Sequence, residues 1–141
     1  MTILNYLGCN FRLPYSEDDS EDKILIMESP PGDEAIDKVK KHFTTNYIYE
    51  LFAPWGSGIW FNKDYRREFP KSNTESQESF FSLCQLLDAN LQEGDYCELY
   101  ICWAGDEKED RNMKLDQTIN LKNFVINNIQ IYEKTLLVIK K

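Results

Sequence analysis

Most apolar residues of this chain lie in short segments with strand-like patterns, and helical spacing occurs in only two places. Alternation at a period of two is typical of a strand with one buried face, and a short apolar run is typical of a strand covered on both faces. The segments with these patterns are residues 3–11, 24–27, 46–52, 59–61, 95–103, 115–121, 129–132 and 135–139. Because they follow one another closely, we expect a mainly antiparallel sheet of about six to eight strands.

Two segments have apolar residues at helical spacing. The first starts at Asp33, a favoured N-cap residue, and the second runs from about Thr74 to Leu91 and stops before Gly94. Their apolar stripes are Ala35, Ile36, Val39 and Phe43 in the first segment and Phe80, Leu83, Cys84, Leu87 and Leu91 in the second. We expect both helices to pack on one face of the sheet, which makes the chain an α+β protein.

The length and composition indicate a single globular domain. The chain has 141 residues, of which 42% are hydrophobic and 28% are charged. No internal repeat and no linker-like segment divides it, so residues 1–141 are interpreted as one α+β domain. A chain of about this size buries roughly two thirds of its unfolded surface, so a core forms without disulfides or metal. Since the sequence also has no dinucleotide-binding fingerprint and only one histidine, we expect neither a cofactor nor a metal ion.

The cysteines and the apolar runs favour a cytoplasmic location. The four cysteines have no CxxC spacing, and we expect them to be reduced and mostly buried; they are Cys9, Cys84, Cys97 and Cys102. Cys97 and Cys102 are an odd number of positions apart, so on one strand they face opposite sides of the sheet. No apolar run approaches the roughly 18–20 residues of a membrane span, and the N-terminal residues lack the pattern of a signal peptide. No membrane partner is expected.

The chain is acidic, with 16 basic and 24 acidic residues and a net charge of −8. Two acidic clusters lie in predicted loops: Glu17, Asp18, Asp19, Glu21 and Asp22 form the first, and Asp106, Glu107, Glu109 and Asp110 form the second. If the fold brings them together, their field attracts a basic partner and raises its association rate. The alternative is that both are solvated loops that keep the protein soluble. Nucleic acid is not an expected partner, because the net charge repels its phosphates.

The residue inventory excludes several catalytic and metal-binding motifs. His42 is the single histidine, which excludes an HExxH site and a histidine-rich metal site. It ends the first helical segment, where a cationic ring suits the helix C-terminus and a structural role is expected. The sequence around Ser57 lacks the remaining residues of a phosphate-binding loop or a nucleophile elbow.

Two carboxylates lie inside apolar, tyrosine-rich segments. Glu50 follows Tyr49, and Glu98 lies between Tyr96 and Tyr100. Burial raises the pKa of a carboxyl group and suits it to acid–base catalysis. The more ordinary interpretation is that each carboxylate faces water or pairs with a basic group on a neighbouring strand.

Aromatic and basic residues are concentrated between residues 52 and 71. Aromatic side chains together with arginine are typical of the energetic centres of protein interfaces. The residues best suited to that role are Trp55, Trp60, Tyr65, Arg66 and Arg67. In the alternative interpretation the rings cover a sheet edge and the arginines pair with the acidic clusters.

Together these features favour a non-catalytic, acidic protein-binding domain that captures a basic protein. Immunity and inhibitor proteins that neutralise nuclease toxins are comparable in size, acidity and lack of catalytic motifs, so a toxin is one such partner. The alternative is a small enzyme or small-ligand-binding domain with an aromatic-lined pocket that uses Glu50 or Glu98, together with Tyr49 or Tyr100. A third interpretation is a homo-oligomer whose contact is the predicted turn and strand at residues 55–61.

Overall fold

The computed structural model describes residues 2–17, 19–27, 32–54 and 58–141. Its helices and strands are β1 (Ile3–Cys9), β2 (Leu25–Ile26), α1 (Glu34–Val39), β3 (Tyr47–Phe52), α2 (Lys63–Glu68), α3 (Pro70–Asn90), β4 (Tyr96–Trp103), β5 (Gln117–Asn120) and β6 (Thr135–Lys140). Short 3-10 turns lie in the connections at Lys40–His42, Met113–Leu115 and Ile126–Asn128.

Six strands of the described chain form one sheet in the order β2-β3-β1-β4-β6-β5. Neighbouring strands are antiparallel except β5 and β6, which are parallel. In the register of the central strands, Tyr6 of β1 lies opposite Glu50 of β3 on one side and Tyr100 of β4 on the other. The predicted α+β class and the mainly antiparallel sheet are confirmed.

The two faces of the sheet are covered by different helices. The larger core lies on the face that α3 covers and includes Leu7, Cys97, Leu99, Phe80, Leu83 and Leu87. The smaller core lies on the face that α1 covers and comprises Tyr6, Val39, Tyr100, Cys102 and Leu136. The expectation that both helices pack on one face is corrected here. The central strands β1 and β4 bury residues of both parities, so each face needs a cover of its own.

Two predicted strands are irregular segments in the structure. The side-chain amide of Asn5 in β1 donates to the carbonyl of Ile59 at 2.9 Å, and its oxygen accepts the N–H of Ile59 at 2.9 Å. The N–H of Ile131 donates to the carbonyl of Phe61 at 2.7 Å. Residues 59–61 and 129–131 therefore contact each other within the larger core and form no strand ladder. Their apolar pattern reflects burial, and the predicted hairpin of residues 46–52 with 59–61 is wrong.

Both predicted helices are confirmed. Asp33 caps α1, because its Oδ1 accepts the N–H of Ala35 at 2.9 Å. The second helix begins at Pro70 rather than Thr74, since proline suits the first turn of a helix. The chain then reaches β4 through Gly94, whose φ of +94° favours glycine. Among the described helices, none is both long and apolar enough to cross a membrane.

Candidate functional site

The first acidic cluster lies in the connection between β1 and β2. Ser16 anchors this loop, because its N–H donates to the carbonyl of Ile26 and its Oγ accepts the N–H of Ile26, both at 2.8 Å. The acidic side chains at the tip are exposed; they are Glu17, Asp19, Glu21 and Asp22. Within the described chain no ion pair engages any of these four. Asp18, the fifth predicted member, lies outside the described residues.

Two open grooves lie between this loop and α3. The first, of about 520 Å³, is lined by residues that include Tyr15, Glu17, Asp19, Asp22 and Leu86. The second, of about 350 Å³, is lined by residues that include Glu21, Asp22, Lys23, Glu78 and Phe81. Asp22 lines both, so the two grooves are neighbours. We call this surface, formed by residues 14–17 and 19–23 together with Glu78, Phe81 and Leu86 of α3, the acidic groove.

The acidic groove combines an excess of negative charge with exposed aromatic surface. Its one basic side chain, Lys23, forms an ion pair with Glu78. The side chains of Tyr15 and Phe81 are 50% and 43% exposed. Sequence reasoning missed the contribution of α3. The available signal was Phe81, an aromatic residue that lies off the buried stripe of its helix.

The second acidic cluster lies on the opposite face of the sheet, in the turn after β4. Glu107 is buried there: its carboxylate accepts the N–H of Gly105 at 3.1 Å, and its carbonyl oxygen lies 3.1 Å from Nε2 of His42. Since His42 stacks on Tyr100 in the smaller core, this turn packs on the face that α1 covers. The fold therefore does not bring the described residues of the two acidic clusters together.

The other carboxylates of the second cluster are engaged within the chain. Glu109 pairs with Lys134 at 2.8 Å, and Asp110 pairs with Lys41 at 3.0 Å. A hydrogen bond to Glu109 raises the pKa of Asp106. Basic side chains thus already neutralise part of this cluster, whereas the described acidic residues of the first cluster have no ion pair.

His42 is buried and stacked on an aromatic ring. The ring centroids of His42 and Tyr100 are 4.1 Å apart with an interplanar angle of 18°. Burial lowers the pKa of His42, and the nearby cations Lys41 and Arg111 lower it further, against the opposing effect of the Glu107 carbonyl. The cationic ring expected at the helix end is corrected: burial away from water favours the neutral imidazole.

Glu98 is held by the segment that leads into β3. Its Oε1 accepts the N–H of Thr44 at 2.9 Å, the hydroxyl of Thr44 at 3.0 Å and the N–H of Thr45 at 3.0 Å. With an exposed fraction of 2%, this carboxylate is a buried acceptor for backbone donors.

Glu50 is half-buried on the same face of the sheet as Tyr6. Burial raises the pKa of Glu50, and the carboxylates of Asp33 and Glu107 raise it further. Among the described residues no group of three or more acidic, histidine or cysteine side chains is arranged to hold a metal ion. The hydroxyl groups of Tyr6 and Tyr100 are buried without a hydrogen-bond partner in the described chain.

Of the two tyrosines that the small-ligand alternative combines with Glu50 or Glu98, Tyr49 lies on the opposite face of β3 from Glu50. Tyr49 belongs to the larger core, on the other face of β3, and its hydroxyl accepts the N–H of Leu13 at 3.0 Å. Neither Glu50 nor Glu98 lines the acidic groove. They are also absent from the lining of a groove of about 530 Å³ between α1 and β3 and of a groove beside Trp60. The tyrosine that does lie opposite Glu50 is Tyr6, and only the strand register reveals it.

The predicted aromatic and basic residues separate into two groups. Trp60 and Tyr65 are in contact at 4.7 Å between ring centroids, and with Trp103 they line a groove of about 410 Å³. Arg66 and Arg67 are exposed on α2, and Arg67 pairs with Asp64 at 3.3 Å rather than with an acidic cluster. Trp55 lies outside the described residues.

Comparisons of the chain with protein-family models, with curated proteins and with solved structures find no match, so the assignment of a function rests on this geometry.

Proposed function

We propose that this protein is a non-catalytic binding domain whose acidic groove captures a basic segment of a partner protein. One observation carries the proposal: four carboxylates of the loop are exposed, without ion pairs in the described chain, and stand beside exposed aromatic side chains of the same surface. The second acidic cluster has no comparable arrangement, because basic side chains of its own chain already engage it.

Charge complementarity identifies the class of partner. Grouped carboxylates repel one another, and a cationic partner relieves that repulsion while its approach is accelerated by their field. The grooves on both sides of Asp22 accommodate lysine or arginine side chains that reach the loop carboxylates. A rim charge of this kind acts mainly on the association rate and gives it a strong salt dependence.

Apolar contact supplies the second part of the binding energy. Tyr15, Phe81 and Leu86 present apolar surface between the charged side chains. Aromatic side chains at the centre of an interface contribute more than rim charges do, because they are fully desolvated on binding. The matching partner segment is therefore basic and amphipathic. A basic toxin neutralised in the cytoplasm is one form of such a partner, in the manner of immunity and inhibitor proteins.

The experiment compares two variants with the same change in net charge. In the groove variant, Glu17→Gln, Asp19→Asn, Glu21→Gln and Asp22→Asn are combined. In the control variant, four exposed glutamates elsewhere are changed, by Glu34→Gln, Glu68→Gln, Glu93→Gln and Glu133→Gln. Each protein is used to capture partners from a lysate of the source cells, and the retained basic protein is purified for association-rate measurements at several salt concentrations.

We expect the wild-type protein and the control variant to retain the same basic protein, and the groove variant to lose it. The association rate should fall about tenfold in the groove variant at low salt, with a flatter salt dependence. The variant Phe81→Ala should instead raise the dissociation rate. Equal losses in both charge variants, or retention of no basic protein by the wild type, would contradict the proposal.

A further inference from the structure

Two of the four cysteines meet between the central strands of the sheet. Cys9 is the last residue of β1 and lies directly opposite Cys97 of β4. Both side chains are 0% exposed, and their Sγ atoms are 3.0 Å apart. The other two cysteines lie elsewhere: Cys84 is on α3, and Cys102 is on the opposite face of the sheet.

The geometry of this pair fits a covalent bond. A disulfide requires Cα atoms about 4.4–6.8 Å apart, and directly opposite residues of antiparallel strands have Cα atoms about 4.5–5.5 Å apart. The sulfur atoms of Cys9 and Cys97 need to approach by about 1 Å to reach the usual S–S bond length of about 2.05 Å. Side-chain rotation supplies such a movement without any change in strand register.

We propose that Cys9 and Cys97 form a redox site that closes to a disulfide between β1 and β4, with a low-molecular-weight disulfide such as oxidised glutathione as the oxidant. One cysteine attacks the oxidant as a thiolate, which forms a mixed disulfide and expels one glutathione thiolate. The second cysteine attacks the protein sulfur of the mixed disulfide and expels the other. The two thiol protons pass to the leaving thiolates, and the oxidant gains the two electrons.

Burial controls the rate of this exchange. The hydrogen bond between the two thiols and their burial raise the pKa of Cys9, so the reactive thiolate is scarce in the closed sheet. Exchange therefore proceeds through local opening at the end of the strands, and the bond persists once the sheet has closed over it. Cys9 is the last residue before the loop that carries the acidic groove. The bond would therefore link the start of that loop covalently to β4.

The test equilibrates the folded protein with glutathione buffers of increasing oxidised fraction, starting separately from reduced and from oxidised protein. Acid quenching, alkylation in denaturant and intact mass measurement count the remaining thiols, and peptide mapping identifies the linked pair. We expect two of the four cysteines to resist alkylation and to be linked as Cys9 and Cys97. In concentrated urea, where the chain is unfolded, the oxidised-to-reduced glutathione ratio at which half of the protein carries the bond should be at least about tenfold higher than for the folded protein.

Matched variants assign the bond. Cys9→Ala and Cys97→Ala should abolish it, whereas Cys84→Ala and Cys102→Ala should retain it. The oxidised wild-type protein should melt about 5–10 °C above the reduced protein, because the bond closes a long loop in the unfolded chain. Four alkylated cysteines at every ratio, linkage of a different pair, or equal ratios for the folded and unfolded chains would overturn the proposal. If Cys9→Ala or Cys97→Ala fails to fold, the wild-type mapping and the urea comparison decide alone.

Discussion

Oε1 of Glu98 and the backbone N–H of Thr44 form a 2.9 Å hydrogen bond that joins β4 to the segment between α1 and β3. The same oxygen accepts the N–H of Thr45 at 3.0 Å. The sequence suggests Glu98 as a candidate catalytic acid or base, and the structure places it as a hydrogen-bond acceptor for the backbone. The carboxylate satisfies two backbone donors that have left the helix and have not yet entered a strand.

Removal of this carboxylate should therefore destabilise the fold. We expect Glu98→Ala to lower the free energy of unfolding by about 2–4 kcal/mol, because the N–H groups of Thr44 and Thr45 lose their acceptor and Thr45 is buried. Glu98→Gln keeps an acceptor oxygen at the same place and should cost about 1 kcal/mol. Urea unfolding of the two variants measures the difference. Similar losses for both would show that the acceptor geometry is not what matters at this site.

A second prediction concerns Gly8, where the strand passes beneath the same segment. A Cβ atom added at Gly8 would lie 2.2 Å from Oγ1 of Thr45 and 2.5 Å from Cδ1 of Phe43. We expect Gly8→Ala to lower the free energy of unfolding by about 1–3 kcal/mol through this overpacking. Thr45→Ala removes the nearest atom, so the loss caused by Gly8→Ala should be smaller in that background. Additive losses in the double variant would argue against the close contact.

Much of the fold follows from local sequence patterns. The strands around residues 3–9 and 96–103 and both predicted helices are found where periodicity places them, since each pattern is contained in one continuous segment. Residues 59–61 and 129–132 have a strand-like apolar pattern without forming strands. Their apolar side chains pack in the larger core, yet their backbone groups form no strand ladder. Ile59 bonds to the side chain of Asn5, and the N–H of Trp60 donates to Oγ of Ser76. The N–H of Ile131 donates to the carbonyl of Phe61.

The candidate site is harder to predict from sequence than the fold, because it depends on contacts between distant segments. The acidic loop is visible in the sequence, but its position beside Phe81 follows only from the packing of α3. The contact of Cys9 with Cys97 similarly requires the register of two strands whose residues are 88 positions apart. Charge counts could not distinguish the exposed first cluster from the second, in which Lys41 and Lys134 take part.

A third prediction follows from the lowered pKa of His42. The folded state favours the neutral ring, so this residue contributes stability that is full above its ordinary pKa of 6.5 and is lost as the pH falls below that value. We expect the wild type to lose stability from this source on acidification, with a slope of at most about 1.4 kcal/mol per pH unit. His42→Phe retains an aromatic ring beside Tyr100 and removes the titration. Denaturant unfolding at a series of pH values compares the two proteins, and an identical slope below pH 6.5 would refute the assignment.

The last prediction concerns Glu50, whose pKa is raised by burial first and then by Asp33 and Glu107. The folded state binds the proton more tightly than the unfolded chain does. The contribution of Glu50 to stability is therefore full below its ordinary pKa of 4.5 and is lost as the pH rises through the folded value. Glu50→Gln should be more stable than the wild type at neutral pH, and this advantage should vanish as the pH approaches 4.5.

Thermal unfolding at several pH values tests this, with Glu34→Gln as the control, because Glu34 is an exposed glutamate on the neighbouring α1. The control should change the melting temperature little at any pH. A Glu50→Gln variant that is less stable than the wild type at neutral pH would show that the charged carboxylate has a stabilising partner. A gain in stability would show instead that folding does not require the charge. Glu50 would then be the carboxylate at which to test the small-ligand alternative, by titrating candidate ligands against the wild type and Glu50→Gln.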